Sequence, residues 1–369
     1  MKILHIINSL SEGGVESLLY DLSSYTVKDG HQVDILVLNK NEIALKDQFT
    51  KQGIKILIGK YNNPYNIKNI ITIRKAIKNY SIIHVHHFPC QLYAAIAYSS
   101  ILTLKNRAVF LTTEHSTYNN RRKFFALKFL DRFFYKKYDR IICISNQTEN
   151  ELRKWLSLPS LEKKIITIQN GINIEKFANA QNTLNNIIDT SSDNNYIAMV
   201  GRFAPPKDQI TLIKALKYCP ENTHLIFIGS GKTLEKCKSE AVKDNLSNRI
   251  HFIGNSTNVA GILKGCKIGV LSTRWEGFGL VAAEYMAAGI PAVVSNVEGL
   301  NEVIKDDDLL FNPGDYKQLS FILNNLLSNP YLYELKVKSC KDKVLKFSVN
   351  NMSDEYIKTY SELLKEKLK

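Results

Sequence analysis

Short runs rich in β-branched residues alternate with longer amphipathic stretches along this sequence, and the pattern is played through twice. In the first half KILHII (2–7), VDILVL (33–38), KILI (55–58), SIIHVH (81–86), AVFLTT (108–113) and RIICIS (140–145) are apolar runs of strand length. Helical patterns such as VESLLYDLSSYTVKD and IKNIITIRKAIKNY lie between several of them. Strands that are apolar on both sides need both faces covered, and strands separated by helices are joined by crossovers. The pattern therefore predicts a parallel sheet wound with helices on both faces. After a polar stretch rich in Asn, Asp and Ser at 178–195, read as a linker, the alternation resumes with YIAMV, HLIFIG, IHFIG, IGVLS and PAVVS. The 369 residues exceed the roughly 250–300 at which a single core stops growing, so two α/β domains are expected, 1–177 and 196–345. A last helical pattern occupies 346–369. Ligands in such sheets collect at the carboxyl ends of the strands, which predicts a central cleft.

Charge is unevenly placed. Residues 1–185 hold 26 Lys and Arg against 14 Asp and Glu, whereas 186–369 hold 23 against 21. A basic first half points to an anionic partner: phosphate, nucleic acid or a lipid surface. The six cysteines form no C-x-x-C pair and sit mostly in apolar contexts, which fits buried, reduced thiols and a cytoplasmic protein. The N-terminal apolar run is too short for a signal segment, and no run reaches the roughly 18 apolar residues of a membrane span. RRKFFALKFLDRFFYKK (121–137) combines seven cations, one acid and six aromatics in what reads as one helix. It suits either a core helix with a polar face or the surface of an anionic membrane.

Several motifs fall just after strands. Gly13 and Gly14 precede a helix, where backbone N–H groups can approach a phosphate. GSGKT (229–233) lacks the earlier glycine of an ATP-binding phosphate loop, since that position is Ile226, and reads as a strand-to-helix turn. In VGRFAPPKD, Arg202 and Lys207 bracket a Pro-Pro turn, a pair that can clamp a diphosphate, the guanidinium as a fork and the ammonium as a point charge. His84, His86 and His87 cluster in HVHHF and His115 follows the fifth strand; without a supporting carboxylate or thiolate pattern they read as hydrogen-bonding groups lining the cleft, with no metal. Asp306–Asp308 read as a solvated turn.

The stretch EGFGLVAAE sets Glu276 in a loop and Glu284 in the first turns of a helix that begins near Leu280. Two carboxylates bordering one site can accept several hydroxyl hydrogen bonds, which suits a polyol such as a sugar joined to ribose. Gly277 and Gly279 free the backbone on either side of Phe278 to approach the same ligand.

With these motifs in order along essentially the whole chain, the sequence resembles the retaining GT-B glycosyltransferases of family 4, also called glycosyl transferases group 1. EGFGLVAAE is similar to that family's E-x7-E motif, GRFAPPKD to its diphosphate clamp, EGGVE to its N-terminal Gly-Gly loop, and NGIN (170–173) to its N-G-[IV]-D, with Asn173 in place of Asp. The resemblance implies two Rossmann-like domains facing a central cleft. It implies that Glu276 contacts the donor sugar and Glu284 the ribose, that Arg202 and Lys207 hold the diphosphate with help from the Gly13 and Gly14 amides, and that His115 lies near the transferred sugar. The segment Gly277, Phe278, Gly279 and Leu280 completes the donor site. It also implies that no metal or other cofactor is required and that the last helix crosses back to the first domain.

The expected activity is transfer of a hexose or N-acetylhexosamine from a nucleotide-diphospho-sugar, UDP-linked, onto a growing, lipid-linked glycan in cell-surface polysaccharide synthesis. The enzyme would be cytoplasmic and peripheral on the inner face of the membrane. The rivals are an epimerase or phosphorylase on the same fold, and a basic nucleic-acid-binding protein; intact clamp and E-x7-E residues argue against the last.

Overall fold

The computed structural model describes residues 1–369 apart from 12, 102–107, 118, 192 and 369. The described residues form two compact units, one of Met1–Gly171 together with Val349–Lys369 and one of Ile172–Ser348. Among them no helix is long and apolar enough to cross a membrane.

The first unit is built on a seven-stranded parallel sheet of β1 (Lys2–Ile7), β2 (Gln32–Asn39), β3 (Lys55–Tyr61), β4 (Ile82–His86), β5 (Val109–Glu114), β6 (Arg140–Cys143) and β7 (Ile165–Thr167), ordered β3-β2-β1-β4-β5-β6-β7. Six of these were predicted. Successive side chains point to opposite faces, so Leu4, Ile6, Ile83, Val85 and Phe110 pack on one side and Ile3, Ile7, Ile82, Val109 and Leu111 on the other. The first side is covered by helices that include Asn69–Ala76, Cys90–Ser99 and Leu127–Tyr135. The second is covered by Gly14–Lys28 and by the last helix, Val349–Leu368, which buries Met352, Tyr356, Tyr360 and Leu363 against the sheet. Each such side chain contributes about 1.5–3 kcal/mol. Tyr25 donates to Asp354 Oδ1 at 2.8 Å, and Lys367 pairs with Asp139 at 2.5 Å.

The single helix expected over 121–137 is instead a 3-10 turn, Asn120–Lys123, followed by Leu127–Tyr135. The break has a local cause. Arg121 folds inward to bind Asp131 at 3.1 Å and lies over the Phe88 ring at 4.2 Å, while Arg122 donates to the Thr117 carbonyl at 2.7 Å.

The second unit holds a six-stranded parallel sheet of β8 (Asn195–Val200), β9 (Thr223–Ile228), β10 (Ile250–Gly254), β11 (Ile268–Leu271), β12 (Ala292–Ser295) and β13 (Leu310–Phe311), ordered β10-β9-β8-β11-β12-β13. Several of its helices start on side-chain caps: Asp208, Asn258, Asp315 and Asn329 each accept a hydrogen bond from a first-turn N–H. The polar stretch 178–195 belongs to this unit and is not a free linker. Leu184 is buried, Thr183 N–H donates to the Gly261 carbonyl at 3.0 Å, and the chain passes between units at Gly171–Ile172. Asp306 and Asp308, read as a solvated turn, both bind Lys336 at 2.7 Å.

Candidate active site

In the second sheet the strand order reverses between β8 and β11, and the loops leaving these two strands carry the predicted clamp and the first glutamate. Carboxyl ends at such a reversal point are where open α/β sheets bind ligands. The loops are laced together: Asp208 N–H donates to Ser272 O at 3.0 Å, Arg274 N–H to Pro206 O at 3.0 Å, and the Arg274 guanidinium binds Asp208 at 2.8 Å. Thr273 N–H donates to Ser295 Oγ at 2.9 Å, which ties in β12. Lys207 lies along Gly201, its Cγ 3.6 Å from where a methyl on that glycine would stand, and its ammonium donates to Glu276 Oε2. Arg202 is exposed on the same loop.

The turn 229–231 lies against this loop. Gly229 adopts φ +135°, and a side chain on it would collide with the Gly201 carbonyl, so only glycine lets the two loops meet. The reading of GSGKT as a strand-to-helix turn describes what the structure shows, and the structure adds that the turn lies against the clamp loop.

Beyond Glu276 the chain reaches Gly279, at φ +83°, which opens the helix Leu280–Ala288 without a side-chain cap. Ala282 N–H donates to the Gly279 carbonyl at 2.9 Å, and the helix dipole adds positive character at this start. Phe278 is buried edge-on to Phe347, with ring centroids 5.4 Å apart, and anchors the turn. Gly277 N–H donates to Glu276 Oε1 at 3.2 Å. Glu284 stands one turn into the helix and is half-buried. Its orientation follows from Tyr285, which the sequence reading missed. The Tyr285 hydroxyl accepts from Val200 N–H at 2.8 Å and donates to the Val270 carbonyl at 3.2 Å, pinning the helix to the ends of β8 and β11. A lone tyrosine in an apolar helix gives no sequence signal of that duty.

In the first unit Gly13 is the extended N-cap residue of Gly14–Lys28, and both glycines are exposed. The Glu16 carboxylate folds back toward Gly13, so an anion already attends this helix start. His115 follows β5 half-buried, with its Nε2 2.9 Å from His86 Nδ1 and its Nδ1 buried without a hydrogen-bond partner. His5, His84 and His86 are the one group of described residues whose ligand atoms stand close enough for a metal, within 4.8 Å of one another. Several of their nitrogens are hydrogen-bonded: His5 Nδ1 lies 3.0 Å from His86 Nε2, and both His84 nitrogens lie 2.7 Å from Tyr360 and Thr113 hydroxyls. His5 was absent from the predicted cluster because the sheet, not the sequence, brings it beside His84. Asn173 caps the helix Ile174–Ala178 by accepting from Lys176 N–H at 2.9 Å, a duty Asp performs equally, so its departure from the motif costs nothing locally.

Residues 12–176 match the family described as Glycosyltransferase Family 4, and residues 181–342 that described as Glycosyl transferases group 1. An uncharacterised glycosyltransferase of Methanocaldococcus jannaschii is 32% identical over 85% of this chain and 82% of its own. The chain is a family 4 glycosyltransferase. The Escherichia coli UDP-Gal:alpha-D-GlcNAc-diphosphoundecaprenol alpha-1,3-galactosyltransferase is 26% identical to this glycosyltransferase over 94% of it, with 92% of the relative covered. The structure of Anabaena Alr3699/HepE in complex with UDP and glucose superposes with a TM-score of 0.83 at 18% identity, covering 98% of this chain and all of that one, so the fold is GT-B. The enzyme is a hexosyltransferase of a group whose members act in polysaccharide and lipid-linked glycan synthesis.

Proposed function

We propose that this glycosyltransferase moves a hexose or N-acetylhexosamine from a UDP-sugar, with retention of configuration, onto a lipid-linked glycan during cell-surface polysaccharide synthesis. The observation that carries the reading is the Lys207–Glu276 pair beside an uncapped helix start at the β8/β11 reversal. It sets a cation for phosphate next to a carboxylate for sugar hydroxyls. In this scheme Glu284 holds the ribose, Arg202 and Lys207 hold the diphosphate, and the Gly277–Leu280 segment closes on the donor. The bond between the sugar C1 and the phosphate oxygen breaks with its electron pair moving to the diphosphate. The acceptor hydroxyl oxygen bonds to the same face of C1, and its proton passes to the departing phosphate oxygen. Charge grows on that phosphate as the bond breaks, so preorganised cations lower the barrier, and no metal is needed. The roles given to the Gly13 and Gly14 amides and to His115 complete the scheme from the first unit. The UDP-dependent Escherichia coli relative with a diphosphoundecaprenol-linked acceptor, and the UDP- and glucose-bound neighbour, support this choice of substrates.

The reading includes contact with an anionic membrane through part of the 121–137 segment. Arg121 is tied up internally and Arg132 donates to the Leu156 and Ser157 carbonyls, so the contacting groups are Lys123, Phe124, Phe125, Phe129, Phe133 and Lys136, all exposed. Between Asp47 and Asp131 the sole carboxylate is Glu114, which is buried, so this stretch of sequence adds no exposed negative charge to the face. A nucleotide-release assay over UDP-, GDP- and dTDP-sugars, with and without a lipid diphosphate-linked glycan, tests the reading. UDP release that requires the acceptor is expected, together with a product anomer matching the donor's by NMR. An inverted anomer, or release from another nucleotide alone, overturns it.

A further inference from the structure

Three buried imidazoles share one face of the first sheet. His5 on β1 and His84 on β4 are register partners, and His86 stands two residues along on the same face. The face is closed by the last helix, whose Tyr360 hydroxyl lies 2.7 Å from His84 Nδ1 and whose Tyr356 hydroxyl lies 3.2 Å from Thr113 Oγ1. Buried polar groups are costly unless bonded: His84 bonds to Tyr360 and Thr113, whereas His5, His86 and His115 are bonded to one another in a single file. His5 Nδ1 meets His86 Nε2 at 3.0 Å, and His86 Nδ1 meets His115 Nε2 at 2.9 Å. Both nitrogens of His86 and one of His115 are thereby used. His115 Nδ1 is left, buried and without a partner.

We propose that His86, backed by His5, is a positioning residue: the file fixes the ring of His115 and presents its Nδ1 to the transferred sugar. This rests on the reading that His115 contacts that sugar. A neutral imidazole carries one N–H and one bare nitrogen, and each link of the file needs one of each. The tautomer at any ring therefore sets the tautomer of the next. A sugar hydroxyl that meets Nδ1 selects the direction of the whole file, without creating a charge.

Burial holds His5 down to about 3 and His84, His86 and His115 well below the usual imidazole value. The surrounding groups keep it so. His84 and His87 would only repel a proton on the file. Tyr356 and Tyr360 are held neutral by burial, and Glu114 is occupied by Tyr135 and by Gln91 at 2.5 Å. A neutral His115 binds sugar hydroxyls without forming an ion pair that would retain the departing diphosphate.

The test compares His115→Ala, His86→Gln and His86→Phe with the parent, reading kcat, KM, UDP affinity and the pH profile from 5.5 to 8, with melting curves to confirm folding. Expected are a kcat about 10- to 100-fold lower in both His86 variants, UDP affinity within about twofold, and a new acid limb near pH 6.5 as the loosened His115 begins to titrate. Retention of turnover and of a flat acid side in both His86 variants would overturn the positioning role while leaving the glycosyl-transfer reading intact. Unchanged turnover in His115→Ala would remove the contact on which it rests. Should the His86 variants not fold, nitrogen-15 NMR of the parent decides: His115 ring nitrogens that stay neutral from pH 7.5 to 5.5 support the file, and titration near 6.5 refutes it.

Discussion

Replacing Glu276 by Gln separates two duties that its contact with Lys207 combines. Both side chains are partly buried, 16% exposed for the lysine and 23% for the glutamate. Opposite charges at contact attract by about 4 kcal/mol at an effective dielectric near 20, yet desolvation and side-chain ordering leave such accessible pairs a net value of about 0.2–1 kcal/mol. That net value is what an arriving diphosphate must overcome to recruit Lys207. In Glu276→Gln the ammonium is released, so bare UDP should bind unchanged to about fivefold more tightly. The sugar loses a charged hydrogen-bond partner worth about 1.5–3 kcal/mol, which lowers turnover about 10- to 150-fold and narrows discrimination between donors epimeric at the contacted hydroxyl. Glu284→Gln should behave differently, weakening UDP and donor by the same factor because ribose is common to both. Calorimetry with UDP, beside turnover of two epimeric donors, reads both. Equal loss of UDP affinity in the two variants would refute the division of labour.

Other perturbations probe neighbouring parts. Lys207→Ala should lower kcat as well as weaken donor binding; a raised KM at constant kcat would show that the clamp binds ground and transition states alike. Tyr285→Phe strips the Val200 N–H of its acceptor and should cost about 1–3 kcal/mol in urea denaturation, a loss below about 0.5 arguing against the bridging role. Combined Lys123→Ser, Phe125→Ser and Phe129→Ser should weaken binding to phosphatidylglycerol vesicles, and salt should weaken the parent's; indifference to the triple change would remove the membrane face. Between the ordinary imidazole value of 6.5 and the lowered native values of His5, His84 and His86, the unfolded chain binds protons that the native one does not. Stability is therefore full above pH 6.5 and falls below it, by about 1.4 kcal/mol per histidine at pH 5.5 and roughly 4 for the three. Equal urea midpoints at pH 7.5 and 5.5 would contradict this.

Much of the fold was legible because parallel strands are apolar on both faces and stand out from amphipathic helices. The strand at Ile165–Thr167 escaped because three residues carry no period. The polar stretch 178–195 looks like a linker by composition, and only the burial of Leu184 shows that it is fastened down. In the candidate site, Arg202, Lys207, Glu276 and Glu284 could be named from motif spacing, since spacing decides which loop or helix end carries a charge. Tyr285 and His5 could not. Their duties arise from strand neighbours distant in sequence, a relation that the order β8-β11 or β1-β4 creates and periodicity does not encode.

The last helix completes the core of the unit in which the chain begins, so that unit is discontinuous in sequence. During synthesis, at roughly 5–20 residues per second, the face that receives Tyr356 and Tyr360 waits some ten to thirty-five seconds while residues 172–348 are made. Through that interval the part of this face that the last helix covers, which includes β5, stays bare beside Gly14–Lys28, and His84 has no Tyr360 to meet. The nascent chain is then at its most adhesive, and a chain cut short before Val349 would present a sheet with part of one apolar flank bare, a natural target for holdases and proteases.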